Sequence, residues 1–156
     1  MIAQSTRFDN AVYDADKQLR LVVEATIRPG ATANWASEYH RNLNAFEILP
    51  KARYFAFALP EKIFLWDRNA EPSSDGDKPT YVVDARPLFG PYAQRFGYSL
   101  DTLNSVAFAL IVTTWLEDLV RTTLSPESAD PSLGWLFDSG LYAAIKDGSV
   151  VAEVAA

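Results

Sequence analysis

Two carboxylates, Asp9 and Glu24, are the residues of this chain whose types and spacing could do chemistry. Glu24 lies within Val22-Val23-Glu24-Ala25-Thr26-Ile27, where Val22, Val23 and Ile27 read as a strand apolar on both faces. A carboxylate there needs a reason, because an unpaired buried charge is expensive. The polar stretch Asp14-Ala15-Asp16-Lys17-Gln18 separates two runs rich in β-branched and aromatic residues, which is the pattern of a β-hairpin. With residues 15–18 as a four-residue loop, opposing positions sum to 33 and Asp9 falls across from Glu24. Directly opposed residues share a face, with Cβ atoms roughly 4.5–5.5 Å apart. Arg7 and Thr26 then oppose each other on that face, and Arg28 follows two positions on. Loops of two, four or six residues keep this grouping, whereas three or five put the two carboxylates on opposite faces. Two carboxylates in one small site raise each other's pKa and attract a divalent cation with oxygen ligands. The competing assignment is structural: Glu24 pairs with Arg7, Arg28 or Arg41, and Asp9 caps a strand end.

The order of these residues resembles the PD-(D/E)XK nuclease superfamily, in which an Asp on one strand is followed by Glu-x-Lys on the next and then by an amphipathic helix. Asp9, Glu24 and Thr26 occupy those places, with Thr26 where the lysine would stand. The wider run of VVEATI, a helix beginning NWASEYHRN and then ARYFAFALPEKIFLWD is similar to small restriction-endonuclease-like domains, over roughly residues 7 to 68. The resemblance implies Asp9 and Glu24 as ligands of Mg²⁺, with Mn²⁺ as a substitute, and Thr26 as an altered catalytic position. A hydroxyl cannot stabilise the developing phosphoryl anion as an ammonium does. Weak or lost DNA hydrolysis is therefore expected unless Arg28, Lys17 or Arg41 reaches the gap, and an arginine supplies charge without acting as a base. Arg28, Arg41 and Glu38 are the further residues expected to line the site or hold a phosphate. The alternative function is a non-catalytic protein that uses the nuclease scaffold to bind a protein or nucleic-acid partner. The superfamily places a helix and a strand before its Asp-bearing strand, yet only eight residues precede Asp9. Either the chain is shortened there, or the long apolar helix further on covers the vacant face of the sheet; the second is the expectation, since a bare apolar face would not stay soluble.

Composition bounds these readings. The 156 residues suit one domain spanning 1–156, and 49% apolar with 22% charged residues is ordinary globular usage. No run of 18 uncharged apolar residues suggests a membrane span, and the start MIAQSTRFDN lacks the apolar core of a signal peptide. The absence of cysteine excludes disulfides and thiolate metal sites and fits a cytoplasmic setting. A single histidine, His40, excludes multi-histidine zinc sites, so a metal would rest on carboxylates. A net charge of −6 opposes a broad nucleic-acid surface. The charge is uneven, however: residues 1–60 carry seven basic and six acidic side chains, and residues 61–156 carry seven and fourteen. Any nucleic-acid contact is thus expected near the N-terminal half. No GxxxxGK[ST], GxGxxG or GxSxG motif occurs.

The remaining elements must position the pair. Strands are expected at Arg7–Asp14 and Leu19–Ile27, with Pro29-Gly30 ending the second. Thr32 or Asn34 can cap a helix bearing Trp35, Ala36, Tyr39, Leu43 and Phe46 at helical spacing, which Pro50 stops. Arg53–Leu59 and Lys62–Asp67 read as a second hairpin, its first strand parallel to 19–27 through a right-handed crossover. Residues 69–79 read as an exposed, mobile loop, Thr80–Ala85 as a strand, and Leu88–Tyr98 as irregular with one helical turn after Pro91. A helix from about 100 to 123 is expected to be largely buried, Leu110 included, because its centre AFALIV is apolar all round. Ser139 then caps a short helix Gly140–Lys146, Asp147-Gly148 turns, and Ser149–Val154 is a last strand. The predicted fold is α/β or α+β: a mixed, partly antiparallel sheet of five or six strands flanked by helices, with a restriction-endonuclease-like core.

Overall fold

The computed structural model of the chain describes residues 7–45, 51–70 and 77–155. It is an α+β arrangement in which six strands form one mixed sheet. In chain order the strands are β1 (Arg7–Tyr13), β2 (Leu19–Ala25), β3 (Tyr54–Ala58), β4 (Lys62–Asp67), β5 (Tyr81–Asp84) and β6 (Ser149–Ala155). Across the sheet they run β5-β4-β3-β2-β1-β6. Only β2 and β3 are parallel, joined by the crossover helix α1 (Ala33–Ala45), as the sequence pattern requires.

Two cores sandwich the sheet. On the α1 face, Val22, Phe55, Phe57, Phe64 and Trp66 pack against Ala36 and Leu43. On the other, Val12, Leu21, Val23, Ala56 and Leu65 meet α2 (Arg86–Arg95) and α3 (Ser105–Arg121) through Phe89, Phe108, Ile111 and Leu116. The long apolar helix therefore covers the second face, lying against β2 and β6. Two short helices, α4 (Gly134–Asp138) and α5 (Leu141–Ile145), lead into β6. At the β6 turn a Cβ on Gly148 would overlap the Tyr13 carbonyl, so only glycine permits this approach to β1.

Several expectations are corrected. Residues 86–95 form a regular helix rather than one turn. Pro87 sits in the first turn, where an amide donor is dispensable, and burial of Leu88, Phe89 and Ala93 holds the helix despite Pro91. The helix predicted from about 100 begins at Ser105. A 3-10 turn over Leu100–Thr102 precedes it, and Asn104 caps it by accepting the Ala107 amide at 2.8 Å. Its centre is not buried all round: Leu110 is 56% and Val106 82% exposed. An apolar run has no polar positions to reveal which side meets solvent, and the sheet below α3 covers only the side bearing Phe108, Ile111, Val112 and Leu116. Helix α4 was not expected at all. Of the expected mobile loop 69–79, residues 71–76 lie outside the described residues, as do Phe46 and Pro50.

Candidate functional site

The hairpin β1–β2 sets the relation of Asp9 to Glu24, and it does so differently from expectation. Tyr13 pairs with Leu19, so the loop is five residues long, Asp14 to Gln18. By the parity rule that loop would separate the two carboxylates. Between Val12 and Tyr13, however, the register shifts, and Val12 pairs with Leu21, leaving Arg20 as an extra residue on β2. This bulge restores the sum of 33, seen in Asn10↔Val23 and Ala11↔Val22. The turn and the bulge share one carboxylate. Asp14 accepts the amides of Asp16 and Gln18, both at 2.9 Å, and the Arg20 Nε–H at 2.8 Å. These bonds, the Gln18 amide foremost, hold its carboxyl below the usual range.

At the other end of the hairpin the face alternation breaks at Asp9. Asn10 reaches α3, donating from Nδ2 to Thr113 Oγ1 at 3.0 Å. Phe8, two residues earlier, instead packs edge-on against Phe55 in the α1-side core, ring centres 5.8 Å apart. The Asp9 carboxylate takes over a ladder position, accepting the Ala25 amide N–H at 2.7 Å.

Glu24 is flanked on β3 by Phe57 and overlain from α1 by Tyr39, whose ring stands edge-on to Phe57 at 4.6 Å, and by Trp35 at 5.7 Å from both rings. This aromatic cover takes water from the carboxyl. Burial, then the charge of Asp9, push its pKa from 4.5 up to about 7, while a hydrogen bond with Tyr39 pulls the other way. Tyr39 is raised in turn, by burial first and then by Glu24. The two predicted carboxylates thus interact, and Tyr39 joins them. Its helical spacing marked it as core, and the added signal was that the same helix face passes over the acidic position.

The other predicted residues are placed as follows. Thr26 continues beyond Glu24, its amide donating to the Ala58 carbonyl at 3.0 Å. Arg28 lies over the Trp35 ring, 5.0 Å from its centre. Arg41 approaches Asp77 at 3.3 Å, in a cluster where His40 Nδ1 also meets Asp77 at 2.9 Å and stacks on Trp66 at 4.5 Å. Glu38 is exposed on the side of α1 opposite the buried Ala36, Ser37, His40 and Leu43, so the structure does not bring it to the pair. Lys17 lies at the hairpin tip, the far end of β1 and β2 from Asp9 and Glu24.

Among the described residues no three His, Asp or Glu side chains converge as a ready metal cage. A pair of carboxylates suits a Mg²⁺-like ion, which commonly takes one or two carboxylates and keeps several waters. No helix among the described residues is long and apolar enough to cross a membrane. The chain matches no known family model, and neither curated proteins nor solved structures give a significant match.

Proposed function

We propose that the chain is a PD-(D/E)XK-like nuclease relative in which Asp9 and Glu24 bind a divalent cation, Mg²⁺ or Mn²⁺, and in which DNA hydrolysis is weak or lost. The observation that carries this reading is Glu24 itself: a carboxyl under an aromatic cover, beside a second carboxylate, pushed up to about 7. Such an arrangement is costly for stability, and a bound cation would offset it. Loss of hydrolysis follows from Thr26 and from the engagement of Arg41, which is drawn to Asp77. The same observations favour, as a second reading, a non-catalytic scaffold that binds a protein or nucleic-acid partner.

Calorimetric titration with Mn²⁺ and Mg²⁺ separates the two. The expected result is binding to the wild-type chain with proton release near pH 6–7, because the ion displaces the Glu24 proton. Asp9→Asn and Glu24→Gln should each abolish the heat. Absence of wild-type binding sinks the metal site and leaves the scaffold. If the ion binds, Thr26→Lys, shown folded by circular dichroism, should confer Mg²⁺-dependent nicking of DNA, since one donor to the developing anion is worth about 10²–10³ in rate.

A further inference from the structure

We propose that the cleft at the carboxyl ends of β2 and β3 binds a small apolar amino acid, a ligand independent of the nuclease reading. The crevice beyond the carboxyl ends of parallel strands is a recurrent ligand position. Here it is enclosed by the Ile27–Ala31 stretch, the β3–β4 turn and the 3-10 turn Leu100–Thr102, with a volume of about 280 Å³. That lies at the small end of ligand pockets, which limits the occupant to a compact molecule.

The lining specifies its chemistry. Ile27, Leu59, Leu100 and Leu103 supply the apolar surface, and Arg28, Lys62 and Asp101 supply charge. The chain has more carboxylates than cations, and Arg20, Arg41, Arg53, Arg86 and Arg121 each approach one within 4 Å. Arg28 and Lys62 have no such partner among the described residues, although Glu61 and Asp101 line the same cleft. Both cations are instead fixed by weaker contacts that leave donors over: Arg28 on the Trp35 ring, and Lys62 Nζ donating to the Ala31 carbonyl at 3.4 Å. The charge of Glu61 is also felt by Arg86. A carboxylate received by Arg28 and Lys62 completes their pairing, an ammonium group answers Asp101, and an aliphatic side chain covers the leucines. A polyphosphate would instead meet the charges of Glu61 and Asp101 at close range.

The test is calorimetry with four probes: leucine, 4-methylpentanoate, which lacks the amine, leucinamide, which lacks the carboxylate, and inorganic phosphate. Leucine should bind, 4-methylpentanoate more weakly, and leucinamide and phosphate not measurably. Lys62→Gln alters an exposed side chain and should weaken leucine binding about tenfold or more, the worth of one charge-assisted hydrogen bond. Asp101→Asn should weaken leucine but leave 4-methylpentanoate unchanged. No leucine binding at about 10 mM, far above the range of specific small-molecule affinities, would overturn the proposal. So would leucinamide or phosphate binding as tightly as leucine, or an unchanged affinity in folded Lys62→Gln.

Discussion

Replacing Glu24 by glutamine should stabilise the protein at alkaline pH and leave it nearly unchanged in acid. In the folded chain the Glu24 carboxyl keeps its proton to about pH 7, against 4.5 for the ordinary group. Between those values the folded state binds more protons than the unfolded one, so stability falls as pH rises from 4.5 to 7 and is level above. The interval of about 2.5 decades, at about 1.4 kcal/mol each, sets an upper bound of about 3.5 kcal/mol. Glu24 retains some contact with solvent, and screening reduces the expected cost to about 2 kcal/mol. Glutamine keeps the shape and carries no charge. Urea unfolding of both proteins from pH 4 to 9 should therefore give curves that coincide near pH 4 and diverge by about 2 kcal/mol at pH 8, the variant being the more stable. Depressed carboxyls such as Asp14, Asp84 and Asp130 act below their ordinary range and cancel in the difference. Curves that stay parallel across the whole range would refute the account of Glu24 as a buried, repelled carboxyl.

Three further outcomes follow from the packing. Leu116→Ala, at a fully buried position of α3, should cost about 2–5 kcal/mol in urea unfolding, whereas Leu110→Ala should stay within about 0.5 kcal/mol; equal losses would contradict the assigned helix face. Asn10→Ala removes the partner of Thr113 from a fully buried position of β1 and should cost about 1–3 kcal/mol by the same measurement. Asp77 sits below the usual carboxylate range: burial raises it, but bonds from His40 and Asn44 and the charges of His40 and Arg41 outweigh that. Its contribution is present above 3.8 and lost as pH falls through its lowered folded value, so Asp77→Asn should flatten the acid limb of the stability curve.

Much of this fold was legible because β-branched and aromatic runs alternate with strong breakers. Both hairpins, the parallel β2–β3 pair and the Thr32-capped crossover follow from turn residues and periodicity alone; Thr32 Oγ1 accepts the Trp35 amide at 3.2 Å. Ser139, expected as the cap of the next helix, accepts the Leu141 amide at 3.2 Å, but the cap position itself is taken by Gly140 at φ 78°. Helix α2 was hidden by Pro87, Gly90 and Pro91 within it, whose local cost is met by burial that only the tertiary structure provides. The outward face of α3 was hidden for the opposite reason: its central AFALIV is apolar throughout, and polar residues continue the exposed side of Val106 and Leu110 only beyond it, at Thr114, Asp118 and Arg121.

That Asp9 and Glu24 interact was legible in the sequence, but not the backbone geometry that brings them together. Sequence pattern placed Asp9 across from Glu24 through a four-residue loop, whereas the chain uses five and a bulge. Asn10 and Tyr39 carry little signal of their own. An asparagine inside a strand reads as an edge residue until its partner Thr113, 103 positions away, is known. A tyrosine at helical spacing reads as core until the carboxyl beneath it is seen.

The bulge at Arg20 makes this hairpin respond to mutation against intuition. Deleting Arg20 would leave Tyr13 on Leu19 and Val12 on Leu21, so the ladder becomes regular and Asn10 still meets Val23. Keeping Arg20 while suppressing its bulge, as a β-branched residue free of Asp14 would encourage, slides the ladder by one. Val12 would then meet position 20, and Asn10 would meet Val22 in place of Val23. Losing a residue is the mild change and retaining it in a straight strand is the severe one. An alignment of similar hairpins that scored the missing position as damage would rank the two in the wrong order.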